Sequence, residues 1–92
     1  MGVVIEIPSA LRQYVNNQDE VEVQGNSVEE VLESLCKNHV DLKSNLFNEN
    51  GKVRNFINVY LNDDDIRYAD GMNSKVQDGD CIQIVPSVAG GR

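Results

Sequence analysis

The run Asn26-Ser27-Val28-Glu29-Glu30 fixes the start of one helix, and most of the remaining chain reads as short strands. Ser27 can accept a hydrogen bond from the backbone N–H three residues on, and Glu30 stands at that position, which is the pattern of a capping box. Such a cap stabilises a helix by about 1 kcal/mol. Val28, Val31, Leu32, Leu35 and Cys36 then recur at helical spacing and make one apolar stripe. Glu29, Glu33 and Lys37 fall on the other side, with Glu33 and Lys37 spaced for an i,i+4 ion pair. The spacing predicts a helix from about Val28 to Asn38. A helix with one apolar stripe must bury it, and the flanking runs say against what.

Val3-Val4-Ile5-Glu6-Ile7 is a β-branched run stopped by Pro8, and it reads as a first strand. Ser9 to Val15 reads as a short turn or helical piece. Glu20-Val21-Glu22-Val23-Gln24 alternates polar and apolar, the signature of a half-buried second strand. Asn16-Asn17-Gln18-Asp19 supplies turn residues between them, so an antiparallel hairpin is expected. After the helix, Asp41 to Lys52 reads as a polar connector with Leu46 and Phe47 as buried candidates and an Asn50-Gly51 turn at its end. Phe56-Ile57-Asn58-Val59-Tyr60-Leu61 alternates again and predicts an interior third strand, with Ile57, Val59 and Leu61 on the core face. Asn62 to Asp65 turns the chain, and Ile66-Arg67-Tyr68 reads as a short edge strand. Asp78-Gly79-Asp80 is a tight turn before a last strand, Cys81 to Val85, whose core residues are Ile82 and Ile84. Strands on both sides of one helix give an α+β layer pair, a sheet with one covered face.

At 92 residues the chain suffices for one domain. A chain of this size buries about 60–65% of its unfolded surface, enough for one modest core. Its 8 basic and 15 acidic residues leave a formal net charge of -7. That disfavours a nucleic-acid partner, because phosphate binding needs a basic footprint. No apolar run approaches the roughly 20 residues of a membrane span, and the first residues lack the basic start and apolar stretch of a signal peptide. Cys36 and Cys81 lie far apart and form no CxxC motif, so a cytoplasmic protein with reduced thiols is expected. Each reads as a small packed side chain rather than a nucleophile. The single His39 has no second imidazole to share a metal. Asn62-Asp63-Asp64-Asp65-Ile66-Arg67 resembles a calcium loop only superficially, since the sixth position of either frame is Arg67 or Tyr68 where glycine is needed. No P-loop or GxGxxG is present, so an enzyme with its own active site is not expected.

One chemical feature is left. The apolar run Cys81-Ile82-Gln83-Ile84-Val85 ends at Pro86, and Ser87-Val88-Ala89-Gly90-Gly91-Arg92 follows. Gly90 and Gly91 have no Cβ, so this stretch is slim and conformationally free. Extended, Ser87 to Gly91 would reach roughly 17 Å at about 3.4 Å per residue. Residues 1–86 are therefore expected to form the domain, and 87–92 an exposed tail able to enter a narrow slot in another protein.

Taken together, Phe56-Ile57-Asn58-Val59-Tyr60-Leu61-Asn62-Asp63-Asp64-Asp65-Ile66-Arg67 and Asp78-Gly79-Asp80 through Gly90-Gly91 resemble the ThiS/MoaD-type ubiquitin-like sulfur carriers, and within them the CysO-like carriers of cysteine biosynthesis. The likeness spans nearly the whole chain, including Ile5-Pro8 with Leu11-Arg12. It implies a β-grasp: a mixed sheet of about five strands on one main helix, with the first and last strands side by side and parallel. It also implies that the Gly91 carboxylate is the working group, with Ala89 and Gly90 threading into partner active sites. An E1-like adenylyltransferase of the ThiF/MoeB type would activate Gly91 with its own ATP and Mg, and the carrier itself would bind no cofactor. A sulfur-accepting synthase would use the resulting thiocarboxylate. The open sheet face and the tail base would dock these partners.

Family members usually end at Gly-Gly, whereas here Arg92 follows. While Arg92 remains, the Gly91 carbonyl is an amide and cannot be adenylated. Either a peptidase trims Arg92, with a JAMM-type metalloprotease as the candidate the family suggests, or Arg92 is foreign to the natural chain, or the chain does not carry sulfur. Conjugation of Gly91 to target proteins as a ubiquitin-like modifier, a molybdopterin or thiamin sulfur pathway, and a β-grasp interaction module with an inert tail remain the alternatives.

Overall fold

The capping box forms at the expected place. In the computed structural model, which describes residues 2–86, Ser27 Oγ accepts from the Glu30 N–H at 3.2 Å. Glu30 Oε1 reaches back to the Asn26 N–H at 2.9 Å, one residue further than the usual reciprocal bond. The Val28 N–H, a donor with no partner inside the helix, finds the Ser74 carbonyl at 2.9 Å. The helix that follows, α1 (Val28–Asn38), buries Val28, Val31, Leu32, Leu35 and Cys36. Glu33 and Lys37 share its solvent face without closing an ion pair. Both are exposed, where such a pair gains little over hydration; the ion pair found among the described residues is Arg67 to Asp65.

The stripe packs on a five-stranded mixed sheet of order β2-β1-β5-β3-β4. Its strands are β1 (Val3–Glu6), β2 (Glu20–Val23), β3 (Ile57–Leu61), β4 (Asp64–Asp65) and β5 (Cys81–Pro86). β1 and β2 pair antiparallel, as the hairpin reading expects, with Ile5 opposite Val21. β1 and β5 lie side by side and parallel, with Ile5 level with Ile82. β5 also pairs antiparallel with β3 along its whole length, from Leu61↔Ile82 to Ile57↔Pro86. The side-chain period of two then sends Val3, Ile5, Ile82, Ile84, Ile57 and Val59 to the helix side, where all are buried. A 3-10 segment, Ser9–Tyr14, follows β1 and buries Leu11.

Two expectations need correction. The stretch read as a polar connector contains a second helix, α2 (Val40–Leu46), which buries Leu42 and Leu46 completely or nearly so. Its polar residues form the solvent face of an amphipathic helix too short to show a repeat. His39 breaks it from α1: its backbone departs to φ -135°, its N–H closes α1 on the Leu35 carbonyl, and its own carbonyl opens α2 by accepting from Leu42. Leu46 and Phe47 are buried as expected.

The second correction moves the edge strand. Ile66–Tyr68 is a 3-10 turn, and the strand is Asp64–Asp65. Asn62 and Asp63 both have positive φ, 51° and 75°, and lie between the paired residues Leu61 and Asp64. That is a two-residue hairpin loop of the type I′ kind, whose twist suits a tight β-hairpin. Pairing therefore resumes at once, two residues earlier than the apolar pattern suggests. Asp65 then accepts from the Arg67 N–H at 2.9 Å and turns the chain into the 3-10 conformation.

Candidate functional site

β5 is the strand that leads to the tail, and it holds the middle of the sheet. Its start is set by Gly79, at φ +91° in the Asp78-Gly79-Asp80 turn, where a side chain would be strained. The Gly79 N–H donates to the Gly2 carbonyl at 2.9 Å and the Val4 N–H to the Asp80 carbonyl at 3.0 Å, which locks β5 beside β1. β1 holds the strand as far as Gln83, and β3 on the other side holds it to Pro86, opposite Ile57. Pro86, which has no N–H to donate to a ladder, is the last residue of β5. Because β1 and β5 are parallel, Pro8 and Pro86 depart at the same edge. Between them lies an open cleft of about 360 Å³ lined by Pro8, Arg12, Glu20, Gln83 and Val85, among others. The Arg12 Nε–H donates to the Ile7 carbonyl at 2.9 Å, which fixes the guanidinium over that cleft.

The side chains of β5 that point away from α1 are Cys81, Gln83 and Val85. Register places Glu20, Glu6, Gln83, Tyr60 and Asp65 in one row across this open face, with Asn58 beside Val85. Val85 is 41% exposed, a large apolar side chain presented to solvent at the tail base. Glu6 organises the centre: Oε1 accepts from Gln83 Nε2 at 3.1 Å and Oε2 from Cys81 Sγ at 3.3 Å. Burial, then the hydrogen bond to Glu6 and the negative charge of Glu6, Glu20 and Asp63, pushes the Cys81 thiol up to about 11. Burial likewise pushes the Cys36 thiol up to about 11, with Lys43 opposing. Both sulfurs are therefore neutral thiols at pH 7, which are poor nucleophiles. On the far edge Arg67 holds the Asp65 carboxyl below the usual carboxylate range, chiefly through side-chain hydrogen bonds.

Ala89, Gly90, Gly91 and Arg92, the residues the sequence singles out, lie outside the described residues. What the structure describes is β5, which ends at Pro86, and the cleft beside it. His39 sits at the α1–α2 junction, one helical turn beyond Cys36. Among the described residues no group of His, Cys, Asp and Glu is placed to hold a metal ion. No helix among them is long and apolar enough to cross a membrane. Sequence reading missed the role of Glu6 and the cleft at Arg12. Alternation within β5 does give the outward triplet Cys81, Gln83 and Val85, but the match of Glu6 to Gln83 needs a parallel register between strands 77 residues apart.

The sequence and the fold have counterparts in known proteins. A model of the ThiS family matches residues 5–91, so the match takes in both glycines of the pair. The sulfur carrier protein CysO of Mycobacterium tuberculosis is 34% identical over 99% of this chain and 100% of its own length. In solved structures, the Amycolatopsis orientalis BexX/CysO complex supplies a chain that superposes with a TM-score of 0.88 at 39% identity, covering 97% of this chain and 99% of the other. The small archaeal modifier protein 1 of Methanosarcina acetivorans superposes at 0.87 with 28% identity, covering 97% and 95%. The ubiquitin-like β-grasp read from the strand order is thereby matched in three dimensions, and the chain belongs to the ThiS family of small carrier proteins.

Proposed function

We propose that this protein is a cytoplasmic sulfur carrier that works through the carboxylate of Gly91. The observation that carries the reading is the family match running unbroken from β1 to Gly91 and stopping short of Arg92. A central strand anchored on both sides is a rigid base from which Gly90 and Gly91 can reach a partner's active site. A free carboxylate is a poor electrophile, because its leaving group would be oxide. In the proposed sequence a Gly91 carboxylate oxygen attacks the α-phosphate of ATP held with Mg by an E1-like partner, and pyrophosphate leaves. A sulfur nucleophile then attacks the acyl-adenylate carbon and expels AMP, leaving a thiocarboxylate for a sulfur-accepting synthase. Partner enzymes supply the catalysis, in keeping with a relative whose structure is a complex with BexX. The CysO relatives favour cysteine biosynthesis as the destination.

In this reading a peptidase, with a JAMM-type metalloprotease as candidate, removes Arg92 and exposes Gly91. The decisive experiment compares chains ending at Arg92 and at Gly91 with the same activating enzyme, ATP and sulfide. The Gly91 form is expected to release pyrophosphate and gain the mass of an oxygen-to-sulfur exchange, and the Arg92 form neither. A thiocarboxylate on the intact Arg92 chain would refute the precursor reading. A second reading, conjugation to other proteins through Gly91, is favoured by the likeness to a small archaeal modifier protein. Heavier covalent ladders in the native host, in place of the thiocarboxylate mass, would establish it.

A further inference from the structure

The charge of this protein is unevenly placed. The total is -7, yet between Lys37 and Arg54 the basic residues Lys37, Lys43, Lys52 and Arg54 outnumber the acidic Asp41 and Glu49. This stretch is the end of α1, all of α2 and the turn after it. The carboxylates of Glu6, Glu20 and Glu22 lie across the molecule on the open sheet face. At the basic pole α1 and α2 diverge from His39 and leave a cleft of about 550 Å³. Cys36, Val40, Phe47 and the open space at Gly51 form its apolar part, and Lys37 and Lys43 rim it, with Glu33 at one side. Val40 is 74% exposed. Neither lysine is tied into an ion pair among the described residues, so both ammonium groups are available.

We infer that this α1–α2 cleft is a second docking surface, on the opposite side of the domain from the open sheet face, and that it takes an acidic, apolar segment of a partner protein. Its apolar floor asks for leucine-like side chains, and the two lysines ask for carboxylates beside them. A nucleic acid is a poor fit, because the chain as a whole repels phosphate. The position matters for a carrier. A partner holding the helical pole leaves the sheet face and the end of β5 open, so the domain can be tethered while its other side is in use. The inference stands on the cleft and its charge, and does not depend on sulfur chemistry at Gly91.

The test is amide chemical-shift mapping of the full-length, isotope-labelled chain with a short synthetic peptide built only of leucine and glutamate. Shifts are expected in the last turn of α1, in α2 and at Gly51, and they should be absent with a leucine–lysine peptide. The double variant Lys37→Glu/Lys43→Glu should weaken binding by about tenfold, as two exposed attractions become repulsions. Val40→Ser should weaken it without reversing charge. All three positions are exposed, so unchanged melting temperatures would certify the variants as folded. Shifts confined to the open sheet face, equal binding of the lysine peptide, indifference to the double variant, or no shifts at millimolar peptide would each overturn the inference. Self-association through the cleft, seen as concentration-dependent diffusion with shifts at the same residues, would assign it to a second copy of the chain instead.

Discussion

Leu42→Ala tests whether α2 belongs to the core, as the structure has it, or is a surface connector, as its polar sequence suggests. Leu42 is 0% exposed and belongs to the one contiguous cluster that includes Val31, Leu35, Ile5 and Ile82. Truncating a fully buried leucine removes its transfer free energy and leaves a cavity, together about 2–5 kcal/mol. α2 is a single helix of 7 residues at the margin of the cluster, so it can settle partly into the gap, and about 3 kcal/mol is expected. With an unfolding entropy of about 2.1 cal/mol/K per residue, a chain of 92 residues loses about 5 °C of melting temperature per kcal/mol, hence about 15 °C here. Ser44→Ala, an exposed change on the same helix, should stay within about 0.5 kcal/mol. Urea unfolding and thermal melts followed by circular dichroism give both values. A cost below about 1 kcal/mol for Leu42→Ala would mean that α2 is not part of the cooperative core.

Ser27→Ala should cost about 1 kcal/mol in the same melts, because it leaves the Glu30 N–H without its acceptor. Glu6→Gln should lower the apparent pKa of Cys81 from about 11, since it removes a negative charge and a carboxylate acceptor, while burial still holds it above an ordinary thiol; alkylation rate against pH with Cys36→Ala as background reads it. Both thiols have raised pKa values in the folded state, so their contribution to stability is complete below the unfolded value near 9 and is lost as pH rises toward 11; the urea midpoint should fall across that window, and less steeply in Cys36→Ala than in the parent. Ser74 Oγ is buried without a hydrogen-bond partner among the described residues, so Ser74→Ala should leave stability unchanged or slightly raised, and a loss above about 1 kcal/mol would show that the hydroxyl has a partner.

Much of this fold can be read locally because its signals are local. The Ser27–Glu30 box, the alternation in β3 and the Asp-Gly-Asp turn each involve neighbours within a few residues, and each appears where the sequence places it. α2 was missed because seven residues span only two turns, and Leu42 and Leu46 alone do not distinguish a helix from a polar loop. The β4 shift has a similar origin: Asn62 and Asp63 read as the first half of a four-residue turn, and only their paired positive φ values reveal a two-residue loop. The parallel pairing of β1 with β5 joins segments almost a chain length apart. It entered through family resemblance, because no periodicity carries it. The open face was half legible, in that alternation gives Cys81, Gln83 and Val85 but not the Glu6 carboxylate that accepts from Cys81 and Gln83.

The sheet order has a consequence for the making of the protein. β2 and β1 form one antiparallel pair and β3 and β4 another, and β5 is the strand that joins the two. In the folded chain the strands before residue 81 belong to two half-sheets with no ladder between them. Until β5 is synthesised, Ile5 and Val59 have no Ile82 and Ile84 to close against. The sheet becomes continuous only when β5 arrives, so native pairing waits on the last part of the domain to be synthesised. A fragment cut before β5 should accordingly be left for the cell's proteases rather than mistaken for the finished protein. The strand that carries the tail thus also closes the sheet.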